Sequence, residues 1–499
     1  MFRHNLFDLL KTFSTEENKR FNDFIISPYF YKGKKIVKLF NEIIKYYPSF
    51  THKELTRKNL SNIVYSNLAN KDSTLNKLIH ELNKLVIKFI VLERFNNMKY
   101  TQYDYLLKEL TYRNQIKLFK AYIEKIEVDM NDKNGIDPEY LNNRYTLEVD
   151  KFNFSRVNEK TTKKLSAYEE LKELMLCSEY FIIYSITEII NEYMVMYFGR
   201  SKFNIDCDKN TLCGFIDNFD IDNVIRKFTK GSKYVFLLRI YNAMFKTFRH
   251  FENEKYYYKY KKLLLEYSDR ISHTEITEHF TNIVNYCIMK NRTDINRKIF
   301  RPELMNIYEI MLGKDYYLTE KIKYLPNDLF RDVLLIGIEQ KDFRWLINYV
   351  STYSEKLALK YKENMFNYGN AYLYHKQKNY EKSQGFISKV NFDNFNYIFD
   401  MQNLSLKNYY ELDYTEEALC LINTYRRNLS YNKMLSKERK NRHRNFLSYL
   451  EKIVKYKTGN TKIDINFLKH KLIEEDHIIY KEWLMGKIEE VESRVSNKI

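Results

Sequence analysis

Tyr368-Gly369-Asn370-Ala371-Tyr372, running on to Asn379-Tyr380-Glu381-Lys382-Ser383, is echoed by Leu406-Lys407-Asn408-Tyr409, running on to Asp413-Tyr414-Thr415-Glu416-Glu417-Ala418. The small residues Ser383 and Ala418 stand 35 positions apart. That spacing is close to the ~34-residue period of one kind of stacked helical hairpin. A hairpin of this kind cannot cover its apolar face alone, so the period predicts an array in which each pair covers the next.

Composition agrees with a helical array. The chain has 499 residues, more than one ordinary core accommodates. It contains only 11 Gly and 5 Pro, far below the ~12% of average usage. Turn-rich β architectures need those residues at their corners. Aromatic residues make up 16%, with 45 Tyr against 2 Trp, and Tyr suits half-buried helix faces because its body is apolar and its tip polar. Five scattered cysteines (Cys177, Cys207, Cys213, Cys287, Cys420) form no disulfide framework and fit a reducing compartment. The start, Met1-Phe-Arg-His-Asn-Leu, lacks a basic segment followed by an apolar run. The most apolar window, Tyr180 to Phe198, contains Glu188 and Glu192 and is read as a buried helix, not a span. The expectation is a cytoplasmic protein with no membrane partner.

From the N-terminus, residues 1–30 predict a helix pair, the second opening at Ser14-Thr15-Glu16-Glu17 with Thr15 as cap. Lys34 to Tyr47 is amphipathic and stops at Pro48. Thr51-His52-Lys53-Glu54 matches a capping box opening a helix to about Asn67. Asp72 or Ser73 then caps a helix to about Phe95 with the apolar stripe Leu75, Leu78, Ile79, Leu82, Leu85, Val86 and Phe89. Three helices with short links and a basic third helix resemble a helix-turn-helix or winged-helix module. Further on, Asn131 to Pro138 reads as a loop, 200–232 as an irregular link, and the chain from Tyr234 as helix pairs, with Tyr480 to Val495 capping the array through Trp483, Leu484, Ile488 and Val491. The expected division is 1–130, a basic helical module; 139–232, a helical connector; and 233–499, a repeat body.

The matched stretches resemble tetratricopeptide repeats. In the second, Leu406 takes the small helix-A position, Tyr409 follows it, Tyr414 fills the turn and Ala418 the helix-B position. In the first, Gly369, Ala371, Tyr372, Tyr380 and Ser383 match by type, and Lys341 to Leu346 looks like a third turn one period earlier. The likeness covers about 325–430, fades over 235–320 and is absent before about 160. The whole chain is also similar to helical proteins of AT-rich bacteria with a basic N-terminal segment and a degenerate repeat body. The repeat resemblance implies a concave groove lined by helix-A residues: Arg331, Leu335, Ile338 and Glu339; Phe366, Asn370, Leu373 and Tyr374; Asn403, Lys407, Tyr410 and Glu411. Such a lining suits a peptide or helix.

Charge offers a second lead. The net charge is +18, and residues 1–120 hold 22 Lys+Arg against 11 Asp+Glu, an excess of 22 − 11 = 11. A lysine-rich codon bias accounts for part of the total but not for its concentration there. Lys77, His80, Lys84 and Lys88 fall on one stripe, with Lys53, Arg57 and Lys58 on the preceding helix and Lys34 and Lys35 before that. Such a set neutralises phosphates by counterion release. It lacks the Arg, Gln or Asn that read base edges, and Glu81 sits within it. A later basic run, Arg426 to Arg444, reads as an exposed helix face.

No metal, cofactor or catalytic constellation is expected. Asp206 to Asp217 has part of a calcium-loop spacing but Thr211 where Gly is required, so a polar turn is the better reading. His273 and His279 stand six apart, not four, and read as part of a mixed-charge surface helix. The expectation is an all-α, non-enzymatic adaptor whose solenoid groove holds a protein or peptide and whose N-terminal module contacts that partner, nucleic acid or both. The alternative is a DNA-binding regulator with a repeat-type sensor.

Overall fold

The computed structural model describes residues 5–65, 71–132, 135–157, 167–203, 210–228, 232–291, 294–319, 322–391, 395–432, 435–459 and 464–496. Among them are 24 α-helices, one 3-10 turn and no strand. The chain divides into two compact units, Met1–Leu238 and Arg239–Ile499.

The first unit begins with α1 (Asn5–Leu10), α2 (Thr15–Ile26), α3 (Lys34–Ile44), α4 (Arg57–Val64) and α5 (Lys71–Asn96). Helix α5 packs against all four of the others. Its stripe Leu75, Ile79, Leu82, Val86 and Phe89 is buried as the 3.6-residue period requires. Phe21 lies edge-on to both Phe40 and Phe89, at 4.9 and 5.3 Å between ring centroids. Each such side chain contributes about 1.5–3 kcal/mol when fully buried.

Three boundaries differ from the sequence reading. Ser14, not Thr15, caps α2: its hydroxyl accepts from the Glu17 amide and the Glu17 carboxylate accepts from the Ser14 amide at 2.6 Å. Thr51 and Glu54 form no capping box. Helix α4 starts at Arg57 under Thr56, whose hydroxyl accepts from the Asn59 amide, so Lys53 lies in the loop before it. Helix α5 already includes Lys71, so Asp72 and Ser73 lie within it.

Next come α6 (Lys99–Tyr112), α7 (Ile116–Asn131), α8 (Pro138–Val157), α9 (Ala167–Phe203), α10 (Thr211–Asn218) and α11 (Ile221–Phe228). Helices α6, α7 and α8 form one layer, with α6 touching both of the others, and α8 pairs with α9. Tyr180, Ile183, Ile190 and Met194 make the buried seam of α9. Its Leu174–Gly199 stretch is 26 residues long and, by length and composition alone, apolar enough to cross a membrane despite Glu188 and Glu192, with 33% of it buried. A core helix of a soluble protein has the same composition.

The second unit comprises most of α12 (Val235–Arg249), then α13 (Glu254–Glu266), α14 (His273–Lys290), α15 (Asp294–Gly313), α16 (Asn327–Gln340), α17 (Phe343–Ser354), α18 (Leu359–Lys376), α19 (Tyr380–Ile387), α20 (Phe395–Glu411), α21 (Thr415–Tyr431), α22 (Lys437–Lys457), α23 (Ile465–Glu474) and α24 (Lys481–Ser496). From α13 to α22 each helix packs on the next, and α16, α18 and α20 also touch at intervals of two. Leu484, Ile488 and Val491 of α24 are buried against α22 and α23.

The echo that opened the sequence has a structural counterpart. Lys378 and Asp413, also 35 apart, both adopt left-handed backbone, with φ of 60° and 58°. The next amide closes each turn onto the helix behind it, Asn379 to the Tyr374 carbonyl and Tyr414 to the Tyr409 carbonyl, both at 2.9 Å. This is the Schellman closure of a helix C-terminus. Ser383 and Ala418 are both buried one turn further on. Gly369 fits because α17 passes so close that an added Cβ would stand 2.8 Å from Val350.

Candidate functional site

Every residue of the N-terminal basic set is exposed: Lys34 and Lys35 in the first turn of α3, Lys53 in the following loop, Arg57 and Lys58 at the start of α4, and Lys77, His80, Lys84 and Lys88 on α5. Among the described residues Lys34, Lys35, Lys53, Lys58, Lys77, Lys84 and Lys88 form no ion pair. The fold sorts the set into two groups. Lys35 lies 4.7 Å from the Tyr65 ring, the Tyr31 hydroxyl donates to Glu81 on the α5 stripe at 3.4 Å, and Lys88 lies 5.1 Å from the Phe30 ring. These contacts place Lys35 and Lys88 beside the α5 stripe, where Lys77 and Lys84 stand four residues before and three after Glu81. Burial and Glu81 raise the pKa values of Tyr31 and Tyr65. Lys53, Arg57 and Lys58 lie at the other end of α4, about 12 Å away along its eight residues.

The expected groove residues are mostly engaged within their own unit. Arg331 grips Asp400 with two contacts, Nε to Oδ2 at 2.5 Å and Nη2 to Oδ1 at 3.0 Å, and reaches Asp332 with Nη1 at 2.7 Å. The Tyr368 hydroxyl donates to the same Asp400 at 2.9 Å. Burial opposes the guanidinium charge, but Asp400 holds its pKa above the ordinary value. Glu339 pairs with Arg301, and Glu411 with Lys487 at 2.6 Å. Asn370 donates to the Phe366 carbonyl of its own helix, and Tyr374 stacks on Phe386.

Asn403 and Tyr410 are 2% and 3% exposed, which corrects their place as groove lining: they face other helices of the unit. Leu373 is likewise buried, and Leu335 and Ile338 are half-buried. Phe366 is 41% exposed. Lys407 has no carboxylate partner among the described residues. Its ammonium stands 3.4 Å from the centroid of Tyr480 and 5.6 Å from that of Trp483, and burial pulls its pKa down to about 7.

Other sequence-derived groups resolve differently. Asp206 to Lys209 lie outside the described residues, and Asn210 caps α10 through the Leu212 amide. His279 and Glu275 do not sit on a surface helix. They are 2% and 6% exposed, His279 Nε2 is 3.1 Å from Glu275 Oε1, and His279 Nδ1 is 2.7 Å from the Tyr260 hydroxyl. In the later basic run, Arg426 pairs with Glu451 at 2.7 Å, Arg439 donates to Asn396, and His443 is buried against Tyr425, with its pKa lowered to about 4 by burial and by Arg439 and Arg442. No group of three or more His, Cys, Asp or Glu among the described residues could hold a metal.

One polar cleft had no signature in the sequence. It lies among α6, α7 and α8, has a volume of about 140 Å³, and brings Asp104 of α6 to Asp150 of α8. These residues are 46 positions apart, so no local spacing joins them. The only signal is a polar Asp150 on the otherwise inward face of α8, beside buried Leu147 and Phe154.

With these geometries in place, comparison with known proteins supplies no relative: no protein-family model, curated protein or solved structure matches the chain.

Proposed function

We propose that this chain is a non-enzymatic helical adaptor that grips an anionic polymer, nucleic acid foremost, through its N-terminal bundle and holds a protein partner with its second unit. The observation that carries the reading is the exposed basic set around α5. Residues 32–88 contain 12 Lys+Arg and 4 Asp+Glu, an excess of 12 − 4 = 8, and the lysines named above form no ion pair, with the single carboxylate of Glu81 among the α5 group. A phosphate backbone neutralises such a set and releases its own counterions. Contact is with the backbone and not the bases, because Lys is a point charge and the stripe lacks bidentate readers.

The second unit is read as a degenerate tetratricopeptide-like solenoid. The 35-residue recurrence of the Lys378 and Asp413 turns, with Ser383 and Ala418 behind them, supports this. The surface left for a partner centres on the exposed Phe366, since Arg331, Glu339 and Glu411 already have partners and Lys407 is seated on Tyr480 and Trp483. A repeat-bearing DNA-binding regulator is the second reading, and the same basic face favours it.

Fluorescence anisotropy with a labelled 20-base-pair duplex across a salt series tests the first claim. Replacing Lys77, Lys84 and Lys88 together with Glu is expected to weaken binding at least ~100-fold and to flatten the salt slope. Circular dichroism should stay unchanged, because all three are exposed. Unaltered affinity in a folded triple variant would remove the basic face from the proposal.

A further inference from the structure

We propose that the cleft among α6, α7 and α8 is a binding site for a small primary alkylammonium compound, held between Asp104 and Asp150. The inference is separate from the adaptor reading and uses none of its residues.

The geometry begins with Asp150, which is 4% exposed and whose Oδ2 accepts no hydrogen bond. Unsatisfied buried polar atoms of this kind are uncommon, because each forfeits its hydration without return. A second one, Nδ2 of Asn143, belongs to the same cleft. Asp104 lines the same cleft, and its charge reinforces the burial that raises the Asp150 pKa. Two carboxylates so placed cannot both stay charged without a cation or a proton between them.

The protein's own cations do not close the account. Lys108 pairs with Asp104 at 2.6 Å and its charge also reaches Asp150, so one ammonium stands against two carboxylates. Lys151, next in sequence to Asp150, is committed to Glu127 and Glu148. Lys99 and the Tyr103 hydroxyl are committed to Asp129 of α7. When both carboxylates are ionised, the pair with Lys108 keeps one unit of negative charge facing a cleft large enough for several waters or a short organic ligand.

The walls select the kind of cation. Leu107, Ile126 and Met130 make an apolar floor beside the carboxylates, which suits an alkyl chain and repels a hydrated metal. A divalent ion needs six or more oxygens, and the cleft offers two carboxylates with neutral Thr146 and Asn143 near them. An ammonium needs three acceptors, which Asp104, Asp150 and the Thr146 hydroxyl supply. The Tyr103 ring on the wall adds a surface that attracts cations.

The test uses the full chain at pH 8, where an alkylammonium is charged and the pH lies above the value of about 7 to which the Asp150 pKa is raised. Melting temperature is followed against n-butylammonium chloride, with sodium, magnesium and calcium chloride at matched ionic strength as separate arms. The expected result is a saturable rise with butylammonium alone, weakened at least tenfold in Asp150→Asn, which keeps the side-chain shape while removing the charge. Thr146→Val, a milder change, is expected to weaken binding severalfold, so the inference stays testable if Asp150→Asn folds poorly. A rise with calcium or magnesium that depends on Asp150 overturns the ammonium assignment in favour of a metal. Equal rises in all arms, or an unchanged response in a folded Asp150→Asn protein, overturn the site and leave a shared proton as the whole role of the pair.

Discussion

On α5, Lys77, Lys84 and Lys88 stand in solvent with no carboxylate to answer them, whereas on α16 Arg331 is held by Asp400, Asp332 and, through Asp400, the Tyr368 hydroxyl. Both regions are helical, and both are rich in charge and tyrosine. The difference lies in where the compensation comes from. Around Arg331 the second unit supplies its own, so these charged residues hold one helix to the next. The N-terminal bundle pairs Lys11, Lys45 and Arg20 with its own carboxylates but leaves Lys77, Lys84 and Lys88 of α5 without an ion pair. Residue type alone therefore says little about binding here; what separates a structural cation from a binding one is whether the fold has already provided its counterion.

The sharpest way to break this contrast is Asp400→Ala. It leaves the partly buried Arg331 guanidinium without its main partner and the Tyr368 hydroxyl without its acceptor. A loss of about 3–5 kcal/mol is expected in urea unfolding. Lys84→Ala, by contrast, should lie within about 0.5 kcal/mol of the parent. If both changes cost alike, the division into compensated and open charge is wrong. The double change Arg331→Met with Asp400→Leu sharpens the point, since an apolar pair of similar volume is expected to recover most of the loss.

The units should also answer acid in opposite directions. Burial, reinforced by Asp104, raises the Asp150 pKa to about 7. The folded state then binds a proton that the unfolded chain releases above about pH 4. This group's contribution is favourable at low pH and is lost as pH rises from about 4 to 7. His375 and His443 shift the other way, each lowered by burial to about 4. Their neutral folded forms lose stability as pH falls from about 6.5 to 4. Hydrogen exchange at pH 5 against pH 7 should show α6 and α8 better protected in acid and α18 and α22 less so, each by on the order of 2 kcal/mol. Asp150→Asn should abolish the first effect and leave the second. A common response in both units would contradict these assignments.

Two glycines test how tightly the repeat body is built. A Cβ at Gly369 would meet both methyls of Val350 at 2.8 Å, and a β-branched side chain in a helix has little freedom to turn away. Gly369→Ala is expected to cost about 1–2 kcal/mol net of the better helix propensity of Ala. Gly385 on α19 has no atom within 4 Å of its added Cβ, and Gly385→Ala should gain up to about 1 kcal/mol. Thermal melts of the two variants should move in opposite directions. Equal shifts would mean that α17 and α18 are not in close approach.

How far each feature could be read beforehand follows from the range of the interaction behind it. Helix periodicity is local, so the stripe of α5 and the buried Leu484, Ile488 and Val491 of α24 were legible from spacing. The 35-residue echo was legible because Ser383 and Ala418 are both small residues, and both are buried just after a left-handed turn. The caps were missed by a residue or a few, since Ser14 and Thr15, or Thr51 and Thr56, offer the same hydroxyl and only the backbone path decides between them. What could not be read was long-range pairing. Nothing in the sequence ties Asp400 to Arg331 69 positions away, brings the Tyr260 hydroxyl to His279, or faces Asp104 with Asp150. Each pairing depends on which turn of one helix meets which turn of another.

The smallest effect is expected at the turn that best marks the repeat. Lys378 holds φ at 60°, a conformation in which its Cβ crowds the following carbonyl. The turn keeps that strain because two bonds depend on it: the Lys378 amide to the His375 carbonyl and the Asn379 amide to the Tyr374 carbonyl, both 2.9 Å. Glycine adopts this geometry freely, but it also gives the unfolded chain more freedom to lose. The balance for Lys378→Gly is a gain of about 0.5–1 kcal/mol, read as a small rise in melting temperature. The same exchange at Asp413, which has the same backbone, should gain less, because it also removes an ion pair with Lys457. If Lys378→Gly destabilises the protein, the left-handed closure that Lys378 shares with Asp413 does not form there, and the 35-residue recurrence loses its clearest structural mark.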